Sequence, residues 1–262
     1  MASDIFEPES FVVRPPVCFP IDGRIAFQAI ALSVEVCVAA IAHIQEFSEG
    51  FVPLEDEDMD LSDEKTALYS DCWNIVDQVH ALIQLLRQQQ IDSRANAASD
   101  FVQKYRVAST LRNKMDHLGQ NIDNLAKAKV TRPHVFGALA YFRREGLRKG
   151  VTGALVEWGT AKTLPLGSMS HDRHDYPIAN PAGKELVGKI CLLEFHAFGE
   201  RLPLQELASD LRQLASFLDD TAHAAAEKIA SAESARTGKP VADYLARPAE
   251  FNFLTAEFEA PG

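Results

Sequence analysis

The stretch "SDEKTALYSDCWNIVDQVHALIQLLRQQQ", residues 62–90, decides the fold class. Leu68, Cys72, Ile75, Val79, Leu82 and Leu86 recur at three- and four-residue steps, which stacks them on one face of a helix. Tyr69, Trp73, Val76, His80 and Ile83 form a neighbouring stripe. A helix apolar over so much of its circumference is packed on two sides. His80 lies on the second stripe, so it reads as a satisfied core histidine rather than a catalyst.

Upstream, "IAFQAIALSVEVCVAAIAHI", residues 25–44, is the most apolar window and is long enough to span a bilayer. Glu35 sits at its middle, where an acid costs about 2.5–3.5 kcal/mol on insertion scales. Gln28 and His43 add to that cost. The window therefore reads as a buried central helix from about Gly23 to Phe47, capped by Asp22, and no membrane span is expected. Residues 1–22 are punctuated by prolines and predict an extended segment. Seven acids fall between Glu55 and Glu64. They make a solvated connection whose last residues cap the next helix, or alternatively an acidic shield for a basic site.

Downstream, a third helix is expected from about Ala97 to Ala128. The texture then changes. "VFGALAYFRRE" and "VTGALVEWGTAK" read as strands joined by a turn at "GLRKG", residues 146–150. A third strand, "VGKICLLEFHAFG", follows a loop rich in Gly, Pro, Ser and His. Helical period returns in residues 201–237. The tail from Gly238 contains "AEFNFLTAEF", whose aromatics predict a docked arm. The expected organisation is an N-terminal segment (1–22), a helical core (23–130 and 201–237), an inserted sheet (131–200) and a C-terminal arm (238–262). The fold class is mainly α with a small antiparallel sheet inserted, α+β overall.

The chain has 262 residues and a net charge of -11, which argues against a surface built broadly for nucleic acid but leaves room for a local basic site. Cys18, Cys37, Cys72 and Cys191 lie far apart with no paired spacing, as in reduced core thiols of a cytoplasmic protein.

The sharpest chemical signal is in "TLRNKMDHLGQNIDNL", residues 110–125. At about 100° per residue, Leu111, Met115, Leu118, Ile122 and Leu125 fall in one strip of about 80°, the core face. Arg112, Asp116, Asn113 and His117 lie opposite, with Arg112 and His117 about 140° apart at the two edges of that arc. Arg112 can touch Asp116, and Asn113 can touch His117. Any surface helix has a polar face, so the spacing alone is weak. Asn immediately after the arginine, the place opposite the core strip and the preceding helix "SDCWNIVDQVHALIQLL" add to it.

Together these residues resemble the HEPN superfamily, compact helical domains of prokaryotic defence and toxin–antitoxin systems. Its hallmark is an Arg, four to six residues that often begin with a polar one, then a His; here the motif reads "RNKMDH", residues 112–117. The resemblance covers the helical parts, not the sheet or tail. It implies that Arg112 and His117 are catalytic and that Asn113 orients them. It also implies a metal-independent ribonuclease without a cofactor, working as a homodimer whose two motifs meet. Two arcs facing across a two-fold axis would enclose two arginines and two histidines. Histidine can take the proton of the RNA 2′-hydroxyl near neutral pH, and arginine presents a planar fork to phosphate. Some HEPN toxins carry a tyrosine two residues after the histidine, the target of a partner enzyme; Gly119 stands there. The family also includes inactive domains that act as scaffolds for a protein partner or RNA.

Between Lys127 and Lys149 there are seven cations, Lys127, Lys129, Arg132, Arg143, Arg144, Arg148 and Lys149, against one acid, Glu145. They are candidates to guide RNA toward Arg112, or form an ordinary basic surface. "HDRHDY", residues 171–176, offers His171 and His174 for a metal, without further ligands at familiar spacing; a polar loop explains it equally. His43, His134, His196 and His223 carry no recognisable partner in the sequence.

Overall fold

The computed structural model describes residues 5–7, 9–50, 62–93, 96–120, 136–149, 155–166 and 190–247. The described residues are mainly helical with one small antiparallel sheet, as the sequence predicts. The helices are α1 (Ile21–Gly50), α2 (Ser62–Gln88), α3 (Ala97–Lys104), α4 (Arg106–Asp116), α5 (Leu204–Thr237) and α6 (Val241–Leu245). The strands are β1 (Ala138–Lys149), β2 (Leu155–Pro165), β3 (Ile190–Ala197) and β4 (Glu200–Pro203), in the spatial order β2-β1-β3-β4.

Both stripes of α2 are used. Leu68, Cys72, Ile75, Val79, Leu82 and Leu86 are buried, and so are Trp73, Val76 and Ile83. One side of α2 packs against α1 and another against α4. On α1, Ile30, Val34, Cys37, Ile41 and Ile44 are buried. This helix is long and apolar enough to cross a membrane, and half of its most apolar window is buried within the fold. Ile21, Ile25 and Leu32 stay on its open side.

The predicted third helix is divided. Asn96 caps α3 by accepting from the Ser99 amide, while Ser99 Oγ accepts from the Asn96 amide, a reciprocal capping box. At Tyr105 (φ −103°, ψ 14°) the chain turns before α4 begins. No Pro or Gly marks the break. Its cause is tertiary: the Tyr105 ring is fully buried, and its hydroxyl donates to Asp210 of α5 at 2.7 Å. Lys104 reaches Asp210 and Glu206 at 2.7 and 3.2 Å. A second turn falls at His117, and residues 121–135, including the predicted end of this helix, lie outside the described residues.

The sheet corrects three further expectations. Gly146 does not open a turn; β1 runs on to Lys149, and Gly146 (φ +143°) takes up a register shift opposite Trp158. A fourth strand, β4, lies where the last helix was expected to start, and α5 begins only at Leu204. Four residues ending in proline are too short to show a strand's period. The β3–β4 link is a two-residue turn, Phe198 (φ 51°) and Gly199 (φ 78°), whose positive angles fit a type I′ hairpin. Leu139, Tyr141, Leu193, Phe195 and Leu202 share one face by the strand period and are buried, with Phe195 edge-on to Trp73 at 5.4 Å. Gly137 (φ +104°) precedes β1 where a Cβ would stand 2.2 Å from the Phe195 ring.

Residues 9–20 are not extended; they fold in turns over α5 and bury Phe11, Val12 and Phe19. Ser10 Oγ and the Phe11 amide both donate to Asp219, at 2.7 and 3.0 Å, and the Phe11 ring stacks on His223 at 3.9 Å. The tail packs back here as far as it is described: the Val17 and Cys18 amides donate to the Ala246 and Tyr244 carbonyls. "AEFNFLTAEF" lies outside the described residues.

Candidate functional site

The site is built on α4. Ala108 and Leu111 are buried, and Met115 and Leu118 pack partly against the core, as the predicted strip requires. Their burial fixes which way the other residues point. Two polar links cross from α4 to α2. The Arg112 Nε donates to Asp77 Oδ1 at 2.9 Å, and His80 Nδ1 lies 2.9 Å from Ser109 Oγ. Asp77 and His80 are three apart, as are Ser109 and Arg112, so the links sit about one turn apart along antiparallel helices. His80 is half-buried and hydrogen-bonded, as expected.

Arg112 also donates through Nη1 to Asp116 Oδ1 at 2.5 Å, the i,i+4 contact that the helix geometry allowed. Its single positive charge faces two carboxylates, all three side chains being 37–47% exposed.

His117 ends α4. Its backbone (φ −98°, ψ 13°) leaves the helix, while its amide still donates to the Asn113 carbonyl at 3.2 Å. Its side chain is exposed. With Thr110, Asn113, Lys114 and Gln120 it lines a shallow, solvent-open depression of about 390 Å³. Lys114 closes one side: its Nζ donates to Glu200 Oε1 at 2.7 Å and to the Phe198 carbonyl at 3.2 Å, tying α4 to the β3–β4 hairpin. Thr110, Asn113, Lys114 and His117 follow helical spacing and share a face; Arg112 and Asp116 do not. The depression can therefore present a base or acid, a cation and two carboxamides to one ligand.

Of the three predicted catalytic residues, the fold thus brings Asn113 and His117 to one depression and turns Arg112 toward α2. Lys114, Thr110, Gln120 and Asp77 join the site without having been singled out. The spacing 110, 113, 114, 117 was legible as a face; the hairpin that completes it was not.

The basic stretch is more scattered. Ala138 of β1 pairs with His196, near the hairpin, and β1 then runs away from it. Arg143 is five residues on, roughly 17 Å at strand rise, and Arg144 and Lys149 are farther still. The Arg143 side chain is only 12% exposed, with Nε 3.5 Å from Glu145. Burial, and then the nearby Arg143 charge, lower the Lys162 pKa from its ordinary value. Arg148 lies in β1, but its side chain is outside the described residues, as are Lys127, Lys129, Arg132, His171 and His174. Among the described residues no group of three or more potential metal ligands occurs.

Three of the histidines without a sequence partner have one in space. His43 meets Asp71 at 2.6 Å, and His223 lies 3.8 Å from Asp219. His196 Nε2 lies 3.1 Å from Glu194 Oε2, on the sheet face opposite Phe195, both side chains buried. Cys37 and Cys72 are buried free thiols. Burial pushes Cys37 up to about 12 and, with the charge of Asp71, Cys72 well above the ordinary value of 9.0, which keeps both protonated and unreactive. No protein-family description matches the chain, and no curated protein or solved structure is significantly similar to it.

Proposed function

We propose that the protein is a cytoplasmic, metal-independent endoribonuclease of the HEPN type. It acts as a homodimer in which two copies of Arg112, Asn113 and His117 form one composite site, in a defence or toxin–antitoxin role. The observation that carries this reading is the shared, open depression of Asn113 and His117 at the end of α4, with Arg112 on the adjoining face. An acid–base histidine must be reachable, and His117 is.

The chemistry uses the nucleophile that RNA carries. His117 of one copy takes the proton of the 2′-hydroxyl. The oxygen attacks phosphorus, and the bond to the 5′-oxygen breaks. The leaving oxygen takes a proton from the His117 of the second copy, giving a 2′,3′-cyclic phosphate and a 5′-hydroxyl. Arg112 stabilises the charge that grows on the phosphate once it exchanges a carboxylate for that phosphate. Acid–base help of this kind is worth about 10²–10⁴-fold.

The test is cleavage of a mixed RNA pool by the purified protein in excess EDTA, beside Arg112→Ala and His117→Ala. Cleavage by the wild type, lost by at least about 10²-fold in both folded variants, supports the reading. A second reading is favoured by the two carboxylates on Arg112, which already satisfy its charge: a helical dimer of the same fold that binds a protein partner, a cognate inhibitor or RNA as a scaffold. No cleavage by any of the three, all folded and dimeric, selects it.

A further inference from the structure

Charge compensation separates Arg112 from Lys114, two of the three cations of α4. Arg112 is held by Asp77 and Asp116, so its neighbourhood carries a net negative charge. Among the described residues, Lys114 has one carboxylate, Glu200, and one neutral carbonyl, Phe198. Its ammonium has three donors, of which these contacts use two. Lys114 also lines the depression that contains His117 and Asn113, whereas Arg112 does not. A phosphate that approaches Arg112 finds unused Nη donors but meets repulsion from two carboxylates. A phosphate that approaches Lys114 meets a free donor and a balanced pair.

We infer that Lys114, outside the Arg–His motif, is the cation that binds the RNA phosphodiester beside His117 in the ground state. Arg112 then acts later, on the charge that develops in the reaction. This inference rests on the ribonuclease reading. It deepens that reading by fixing the substrate contact as a single-strand phosphate. Thr110, Asn113 and Gln120 surround that contact with neutral donors and acceptors for the sugar or an unpaired base.

The test is binding of a fluorescent single-stranded 2′-O-methyl RNA, which lacks the attacking hydroxyl, followed by anisotropy over a salt series. Each lost phosphate contact to a single strand flattens the slope of log K against log salt by about 0.7. Lys114→Gln is expected to flatten it by that amount, Lys114→Arg to keep the wild-type slope, and Arg112→Gln to leave it nearly unchanged. Glu200→Gln releases the lysine and is expected to tighten binding. Because Lys114 also ties α4 to the hairpin, the arginine variant and a circular-dichroism melt separate a lost contact from a lost fold. A slope flattened as much by Arg112→Gln as by Lys114→Gln overturns the assignment and leaves the ribonuclease reading in place. Wild-type protein without salt-dependent binding overturns both. Lys114-dependent binding without RNA cleavage keeps Lys114 as the phosphate contact, overturns the later role of Arg112 and moves the protein to the scaffold reading.

Discussion

The two sides of α4 differ in a way that composition does not reveal. The side toward α2 is closed by matched pairs, Arg112 with Asp77 and His80 with Ser109. The side toward the β3–β4 hairpin is open, and there Asn113, Lys114 and His117 line a depression. Both sides are polar, and a helical wheel scores them alike. What separates them is the neighbour: a continuous helix supplies side chains along its whole length, whereas the hairpin supplies one carbonyl from its turn, Phe198, and one carboxylate from the start of β4, Glu200. The lesson is that the arginine of a motif can be the cation that faces the most negative charge.

The largest blow to this asymmetry should come from Trp73. Its indole donates to the Phe136 carbonyl at 3.1 Å, and its ring meets Phe195 and Phe198 edge-on at 5.4 and 6.1 Å. It therefore props the hairpin that holds Lys114. Trp73→Ala is expected to cost about 3–5 kcal/mol in urea unfolding. If the remaining fold keeps Lys114 reactivity toward amine reagents unchanged, the hairpin is not what shapes the open side.

A smaller loss is expected at Tyr105, which sets the start of α4. Tyr105→Phe removes a hydrogen bond to a carboxylate and should cost about 1.5–3 kcal/mol. Burial first, and then the Asp210 hydrogen bond, hold the Tyr105 phenol well above its ordinary value of 10.0. The folded state therefore keeps the proton that the unfolded chain loses. That contribution is complete below pH 10 and falls as pH rises through the folded value. Cys37, pushed up by burial to about 12 from 9.0, works in the same sense from pH 9 upward. Tm should thus decline above about pH 9, and Tyr105→Phe should make the decline shallower above pH 10. An identical alkaline profile in the variant would contradict this account of the break.

The smallest effect concerns the closed side itself. Asp77→Asn removes one exposed pair and should change stability by no more than about 1 kcal/mol. Its consequence should appear instead in binding: with one carboxylate gone, Arg112 becomes available to phosphate, and the RNA salt slope should steepen. A slope that does not move would mean that Asp77 does not restrain Arg112.

Much of this was legible because it is local. The burial of α2 follows from its own three- and four-residue steps, and the Arg112–Asp116 contact from an i,i+4 spacing. The motif's Asn113 and His117 could be placed on the polar arc for the same reason. The misses are non-local or too short. Tyr105 breaks the helix through a partner 105 positions away. Gly146 reads as a turn but serves as a bulge, since sequence shows the permissive backbone and not the register it adjusts. The N-terminal segment looks extended from its prolines, yet Ser10 and Phe11 meet Asp219 across more than 200 positions.

By itself, then, the sequence determined the helices of the core, the presence of an antiparallel insert and the polar arc that carries Arg112, Asn113 and His117. Each of these depends on periodicities that a few neighbouring residues impose. Tertiary structure alone decided where the third helix breaks, that a fourth strand forms, that Arg112 gains a second carboxylate from α2, and that Lys114 lines the depression with His117. Those outcomes depend on contacts between distant segments, whose positions are set by packing of the whole core rather than by any local pattern.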